Sequence, residues 1–304
     1  MVKNDWYRYS YEENEFDTLR TSAAQQFKTY IFTHKTKKFD SYKDALIFNA
    51  TEIKNDFENK RFALMLSGGS DSEVMLRASI DAQLNFTPYI FRYENDYNLY
   101  DVSYAITLCE SHQIKYKLVD FNVTKFFETE SIKFAMLAQS DRPRLLPQLK
   151  FLDFVDEEHC LHGAGDINWK RLNDINYNEP GNWVHSCNEH EMSWEKYLKN
   201  TNRTGVPLWF RYTPELQLAT ANTLWSQQLV NDQIYGKTGT NSSKILGYRE
   251  AYPDMLFRVK KSGLEDFLDL ATEIEKELIK LNGGLIYRQS FHRPVNVYIN
   301  EISG

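Results

Sequence analysis

Cysteine is scarce, with three residues (Cys109, Cys160 and Cys187) among 304. An odd set of three closes no disulfide framework, which fits a reducing compartment. Proline and glycine are scarce too, at 8 and 13, which excludes collagen-like and linker-dominated chains. No apolar run of about 18 residues occurs, so no segment reads as a membrane span. The start, Met1-Val2-Lys3-Asn4-Asp5-Trp6, lacks the apolar stretch of a secretory signal. Excess positive charge is missing as well: 36 Lys and Arg against 42 Asp and Glu leave a net charge of −6. That balance argues against a general polyanion binder, although a local basic patch stays open. Together these absences predict a cytoplasmic protein with no membrane partner.

Aromatic residues are plentiful. The chain carries 19 Tyr, 19 Phe and 6 Trp, more than a disordered chain would hold. Its length suffices for one large α/β unit or for two domains. There is no internal repeat and no low-complexity segment.

The first 60 residues read as helical and polar. Ser41 and Asp44 form a capping-box pattern, and Leu46, Ala50, Ile53 and Phe57 recur at helical spacing. Arg61-Phe62-Ala63-Leu64-Met65-Leu66 is a short apolar run that suits a strand buried on both faces of a parallel sheet. A Gly-rich turn and a helix with Val74, Met75 and Ala78 follow. Thr87 to Arg92 reads as a strand, Asp101 to Ser111 as a helix, and Ile114 to Phe121 as a strand. Residues 126–138 and 144–155 read as helical, and Cys160-Leu161-His162-Gly163 as a strand running into a loop. This alternation predicts a doubly wound parallel α/β sheet with helices on both faces. Ligands are then expected at the carboxyl ends of its strands.

Beyond about residue 190 the pattern turns mostly helical. Thr213-Pro214 is an N-cap and N1 pair leading into Leu218, Ala221, Trp225 and Leu229. Leu264 to Leu281 is the most regular amphipathic stretch, stopped by Asn282-Gly283-Gly284, and Leu285 to Ile302 alternates like a terminal hairpin. The expected division is an N-terminal helical segment over 1–60, a nucleotide-binding domain over 61–190 and a helical substrate region over 191–304. No clear linker marks the last boundary, so one unit is equally admissible.

The chemistry concentrates in Ser67-Gly68-Gly69-Ser70-Asp71-Ser72, between a buried strand and a helix. Two glycines let backbone N–H groups approach a phosphate, three hydroxyls add donors, and the helix N-terminus adds positive dipole. Asp71 is out of place in an anion site unless a cation offsets it, and Mg²⁺ bound to phosphates would do so. A plain turn with a Ser or Asp N-cap uses the same residue types, but this hexapeptide stands where an anion cradle belongs.

S-G-G-x-D-S after a first strand resembles the signature of the PP-loop ATP pyrophosphatases, unbroken here at 67–72. The resemblance implies a flavodoxin-like or HUP-type sheet, cleavage of ATP between the α and β phosphates, and adenylation of a carboxylate, amide or base carbonyl. A nitrogen or sulfur nucleophile would then displace AMP. Ser67, Gly68, Gly69, Ser70 and Ser72 would cradle pyrophosphate, and Asp71 would help to hold Mg²⁺. The chain is most similar to the synthetase domain of asparagine synthetases, whose second acidic loop corresponds to His162-Gly163-Ala164-Gly165-Asp166-Ile167. Gly163 and Gly165 would then border the nucleotide and Asp166 would be the second metal ligand. This loop is one residue short, and Ile167 replaces an acidic residue. The branch's N-terminal nucleophile cysteine is also missing, since Val2 holds that position, so the expected nitrogen donor is ammonia, another amine or a partner's product.

Phe91 and Arg92, at the carboxyl edge, are candidates for the adenosine pocket, and core packing explains Phe91 equally well. Lys244 leads the candidates for the cation that serves the leaving pyrophosphate, ahead of Arg249, Arg258, Lys260 and Lys261. His162, beside Asp166, is placed to touch the acceptor. Asn168, Trp169, Lys170 and Arg171 could shape its pocket, and Trp183, His185, Trp194, Trp209 and Tyr212 could stack a base. His159, Cys160, His162, His185, Cys187 and His190 crowd together without the spacing of a zinc knuckle. Gly236-Lys237-Thr238 lacks the preceding glycine of a Walker loop, with Asn231 in its place, and Gly163-Ala164-Gly165 lacks the third glycine of a dinucleotide fingerprint, with Asn168 there. The expectation is an AMP-forming synthetase with ATP and Mg²⁺ as cofactors, a small-molecule acceptor and an amine or ammonia donor. Two alternatives stand beside it: a PP-loop enzyme that modifies a nucleobase, tRNA or deazapurine, and a degenerate ATP-binding regulatory module.

Overall fold

A computed structural model describes residues 6–11, 22, 24–32, 35–140, 142–171, 183–231, 243–258, 263–281 and 287–304, with Asp266 described by its backbone alone. Among them the strands are β1 (Tyr7–Ser10), β2 (Lys28–Ile31), β3 (Phe62–Met65), β4 (Phe86–Tyr93), β5 (Lys117–Phe121), β6 (His159–Leu161), β7 (Trp169–Arg171), β8 (Trp183–Asn188), β9 (Thr204–Val206) and β10 (Ser290–Pro294). The α-helices are α1 (Tyr42–Asp56), α2 (Ser70–Asp81), α3 (Leu99–Ser111), α4 (Val123–Thr129), α5 (Ser131–Ala138) and α6 (Leu146–Lys150). They continue as α7 (Ser193–Asn200), α8 (Pro214–Ala221), α9 (Leu224–Val230), α10 (Ile245–Ala251), α11 (Leu268–Leu281) and α12 (Val295–Ser303).

Five strands pair in parallel in the order β5-β4-β3-β6-β9. The doubly wound α/β sheet is therefore present as expected. Counted within the sheet the order is 3-2-1-4-5, that of a dinucleotide-binding sheet rather than the 2-1-3-4-5 of flavodoxin. Strand order reverses at β3, so the carboxyl ends of β3 and β6 lie side by side and a crevice opens between the loops that leave them. β3 shows why the sheet is buried on both faces. Phe62 and Leu64 pack into one core with α1, α2 and α3, while Ala63 and Met65 pack into another with α4 to α7, which is the period-2 alternation of a strand.

A third core takes in Ile167 and Leu208, which follow β6 and β9 in the chain. It joins Trp6, Tyr7 and Tyr9 of the N-terminal segment to Trp169, Trp225, Tyr298 and Ile302. Here the structure corrects several expectations. The described part of the first 60 residues is helical only in α1; Tyr7–Ser10 and Lys28–Ile31 pair as an antiparallel two-stranded sheet, consistent with the alternating Tyr7, Arg8, Tyr9 and Ser10 and with the strand-favouring Thr29, Tyr30 and Ile31. The tail is not a hairpin: β10 pairs antiparallel with β8, and α12 follows directly. β9 lies past residue 190 yet forms the sheet's edge beside β6. The helix after Thr213-Pro214 divides into α8 and α9, with Thr223 capping the second. Asn282-Gly283-Gly284 lies outside the described residues. Among the described residues no helix is long and apolar enough to cross a membrane.

Candidate active site

β3 delivers the chain to Ser67, and the turn into α2 is tight. Gly68 has φ +83°, and a Cβ there would stand 2.0 Å from the Asp101 carbonyl oxygen. Only glycine fits that conformation and that approach. Gly69 is the N-cap of α2 and supplies no side-chain cap. Ser67 Oγ accepts from Gly69 N at 3.3 Å, Ser72 Oγ donates to Gly69 O at 2.9 Å, and the two hydroxyls lie 3.1 Å apart. The serines thus brace the turn, and the first-turn N–H groups of α2, which have no intrahelical partner, receive no capping side chain and belong to residues that line the crevice. A simple capped turn would have spent a side chain on them.

The second loop leaves β6 at His162. It is tied down by backbone hydrogen bonds from Trp209 N to His162 O (3.2 Å) and from Phe210 N to Ala164 O (3.0 Å), and Gln217 Nε2 donates to Gly165 O at 2.9 Å. Gly165 has φ +87° and packs on Arg211 and Leu208. A Cβ on Gly163 would stand 3.4 Å from the Asp71 backbone, so the two loops touch. Asp71 and Asp166 therefore face one another across the switch point.

Lys244, the residue that caps α10, joins them. Its Nζ donates to Asp71 Oδ2 at 2.6 Å and to Asp166 Oδ2 at 3.1 Å. Tyr248, one turn further along α10, donates its hydroxyl to Asp71 Oδ1 at 2.6 Å. Burial alone would push the Lys244 ammonium down, but the Asp166 and Asp71 carboxylates outweigh it and hold it above the ordinary lysine range. The Tyr248 phenol is pushed well up by burial and by the same two carboxylates. Charge-assisted hydrogen bonds thus join Asp71 and Asp166 to the Lys244 ammonium, and Asp71 to the Tyr248 phenol as well.

The crevice is a cleft of about 690 Å³ that takes in the whole of Ser67–Ser72, the second loop from His162 through Ile167, and Lys244. Its wall also includes Asn168, Trp169, Asn188, His190, Glu191 and Arg142. His162 stacks on Trp194 at 4.1 Å and sets its Nδ1 3.3 Å from the Pro207 carbonyl. Burial depresses it to about 4 against the pull of that carbonyl and of Asp71, and burial likewise brings His190 to about 3. Both imidazoles are neutral hydrogen-bonding walls at pH 7. Glu191 is clamped by the fully buried Arg211 at 3.1 Å and accepts from Asn188 at 2.8 Å.

Other expected residues fall elsewhere. Phe91 reaches the cleft wall, but its ring is stacked between Phe121 (4.4 Å) and Phe151 (4.3 Å), and its carbonyl accepts from Asn98 at 2.7 Å. It is chiefly a core residue. Arg92 points to the opposite face of β4, pairs with Asp120 at 2.5 Å in solvent and does not line the cleft; the same alternation that brings Phe91 and Tyr93 inward turns it outward. Arg258 borders the cleft, donates to the Gly68 carbonyl, pairs with Glu73 and lies over the Tyr104 ring. Arg249 is used on the Met255 carbonyl and the Phe257 ring. Trp183, His185, Trp194, Trp209 and Tyr212 are buried core, not an exposed platform. Ile167 is buried in the third core, which accounts for an apolar residue there. Lys260, Lys261 and Gly236-Lys237-Thr238 lie outside the described residues. Among the described residues no group of three or more His, Cys, Asp or Glu is arranged to hold a metal ion, the His/Cys crowd included. Sequence reasoning missed Tyr248, Glu191 and Arg211. Tyr248 alone carried a local signal, its i+4 spacing from Lys244.

No protein-family model and no curated protein matches the chain. Among solved structures it is similar to the NMN synthetase from Francisella tularensis, with 13% identity and a TM-score of 0.32, covering 80% of this chain and 95% of that one. A second is the NH3-dependent NAD synthetase from Campylobacter jejuni subsp. jejuni NCTC 11168 in complex with the nitrate ion, with 16% identity and a TM-score of 0.30 over the same shares. Likeness at this level assigns neither activity nor substrate.

Proposed function

We propose that the chain is an ATP-dependent, AMP-forming synthetase of the PP-loop kind, joining an activated carboxylate or carbonyl to a nitrogen nucleophile. The observation that carries this reading is the bridge of Asp71 and Asp166 by Lys244, set beside an uncapped helix N-terminus at the sheet's switch point. That arrangement supplies donors for a leaving pyrophosphate and oxygen ligands for a divalent cation. Both carboxylates are hard donors already gathered around one cation, so Asp71 and Asp166 fit Mg²⁺, whose remaining ligands would be phosphate oxygens and water. Bound there, Mg²⁺ would neutralise charge on the phosphates.

In this reading the N–H groups of Ser70, Asp71 and Ser72 and the neighbouring hydroxyls hold the β and γ phosphates. An acceptor oxygen attacks the α-phosphorus, the bond between that phosphorus and the bridging oxygen of pyrophosphate breaks, and Lys244 offsets the charge that develops on the leaving group. The nitrogen nucleophile then attacks the acyl or imidoyl carbon, and AMP departs with the bonding electrons of the C–O bond. His162, neutral at pH 7, and Glu191 line the part of the cleft left for acceptor and nucleophile. The protein contributes orientation and charge stabilisation, with no covalent residue.

Phosphorus NMR of Mg²⁺·ATP with enzyme, ammonia and pooled amino acids, then pooled RNA, tests the reading. AMP with pyrophosphate is expected, and the triggering pool identifies the acceptor class, small molecule or nucleobase. Release of ADP and phosphate would overturn it. ATP binding without turnover in any pool would favour the regulatory module instead.

A further inference from the structure

Lys244 sits where a divalent ion would have to bind. Its ammonium is within 2.6 Å of one carboxylate and 3.1 Å of the other, and a metal ion bridging the same Oδ2 atoms would lie on top of it. Tyr248 holds the remaining oxygen of Asp71 at 2.6 Å, so that carboxylate cannot rotate to offer the ion a fresh oxygen without losing a hydrogen bond. Among the described residues no third His, Cys, Asp or Glu joins the pair to make a self-sufficient metal cage. The phosphates of a nucleotide in the adjoining cradle are the natural second partner for the ammonium, since Lys244 lines the same cleft as Ser67–Ser72.

We infer that Lys244 is a built-in competitor for the divalent-cation seat, so that the protein alone excludes the metal and takes it up together with a nucleoside triphosphate. The ammonium exchanges two carboxylates for phosphate oxygens, and the divalent ion exchanges water for those carboxylates. Lys244 offsets one of the two carboxylate charges and the divalent ion offsets both, so at neither stage do the two carboxylates face each other without a cation between them. The inference rests on the proposed function only in seating a divalent cation at Asp71 and Asp166, and its test needs no turnover.

The test is Mn²⁺ binding to the full chain without nucleotide, read by the loss of the free-ion EPR signal. Wild type is expected to bind weakly. Lys244→Met is expected to bind at least about tenfold more tightly, because a unit charge competing for the same oxygens is gone. Adding Asp71→Asn to Lys244→Met should abolish the gain, which localises it. Arg142→Met removes an equal charge from another part of the cleft wall and should leave the affinity within about twofold. Lys244→Gln, which keeps a polar side chain, gives the same readout should Lys244→Met fail to fold. Unchanged or weaker Mn²⁺ binding in the folded Lys244 variant, or equal tightening by Arg142→Met, would overturn the inference. Failure of the proposed synthetase activity would instead appear in the phosphorus NMR products, independently of this assay.

Discussion

Two adjacent glycines in the loop at 67–72 carry different loads. At Gly68 the backbone is left-handed and a Cβ would stand 2.0 Å from the Asp101 carbonyl oxygen, an atom fixed in α3, whereas at Gly69 the nearest atom would be Ser67 Oγ at 3.4 Å with no positive φ. Gly68→Ala should therefore cost about 1–3 kcal/mol of stability and remove nucleotide binding, while Gly69→Ala should nearly preserve both. Thermal melts and calorimetric titration with ATP would check the contrast, and equal tolerance of both substitutions would contradict it. In the proposed reaction Tyr248 would act through Asp71, whose Oδ1 accepts from its hydroxyl. Removing its hydroxyl frees one oxygen of a carboxylate from a charge-assisted bond of about 1.5–3 kcal/mol. Tyr248→Phe is expected to lower kcat about tenfold or more with KM for ATP changed less than about threefold. Steady-state kinetics decides, and a loss confined to KM would assign Tyr248 to substrate binding instead.

Whether an element was legible depended on how local its determinants are. The β3–loop–α2 unit was readable because an apolar run, a Gly-rich turn and a helical apolar face follow one another within about twenty residues. Thr213-Pro214 was equally local: Thr213 Oγ1 accepts from Leu216 N at 3.4 Å and begins α8. The structure adds that Thr213 Oγ1 donates to Asn49 Oδ1 at 2.8 Å, with Asn49 Nδ2 donating to the Trp209 carbonyl at 3.0 Å, which ties α8 to α1. Thr213→Ala thus loses a cap and a buried partner of Asn49 together. It should destabilise by about 2 kcal/mol, at the upper end for a cap, as read by chemical denaturation; a change below about 0.5 kcal/mol would show that the link to Asn49 contributes nothing. β9 and β10 were not readable. The first has three residues, Thr204–Val206, too few for a period, and the second gains its strand character only by pairing with β8 about a hundred positions earlier. The Arg211–Glu191 clamp was hidden for the same reason, since the two stand 20 positions apart in separate short turns that meet only on packing. Lys244 was found as a residue type in a suggestive context, but its partners Asp71 and Asp166 were beyond reach of spacing.

At the scale of the whole molecule, three cores bury titratable groups and so set the response to pH. Burial lowers five of the seven histidines: His159, His162, His185, His190 and His292. His162 is brought to about 4 and His190 to about 3, from an ordinary value of 6.5. Between those limits the unfolded chain binds more protons than the folded one, so stability rises with pH there and falls on acidification. Each buried histidine contributes fully above about pH 6.5 and loses its contribution as pH drops towards its folded value. Glu195 works in the opposite sense. Burial raises it to about 7 from 4.5, against the pull of Arg211, Tyr9 and Lys196, so the folded chain holds its proton longer and this group gains stability as pH falls through the same window. Burial raises Glu250 in the same sense, and five histidines against two carboxyl groups make acid the destabilising direction. The melting temperature should fall steadily from pH 6.5 to pH 4.5, the fall should be shallower in His162→Asn, and it should be steeper in Glu195→Gln, which also removes a buried charge and should melt higher than wild type at pH 8. Melting curves across that range for the three proteins check each sign separately, and a flat wild-type profile would mean that these histidines take up protons in the folded chain as readily as in the unfolded one.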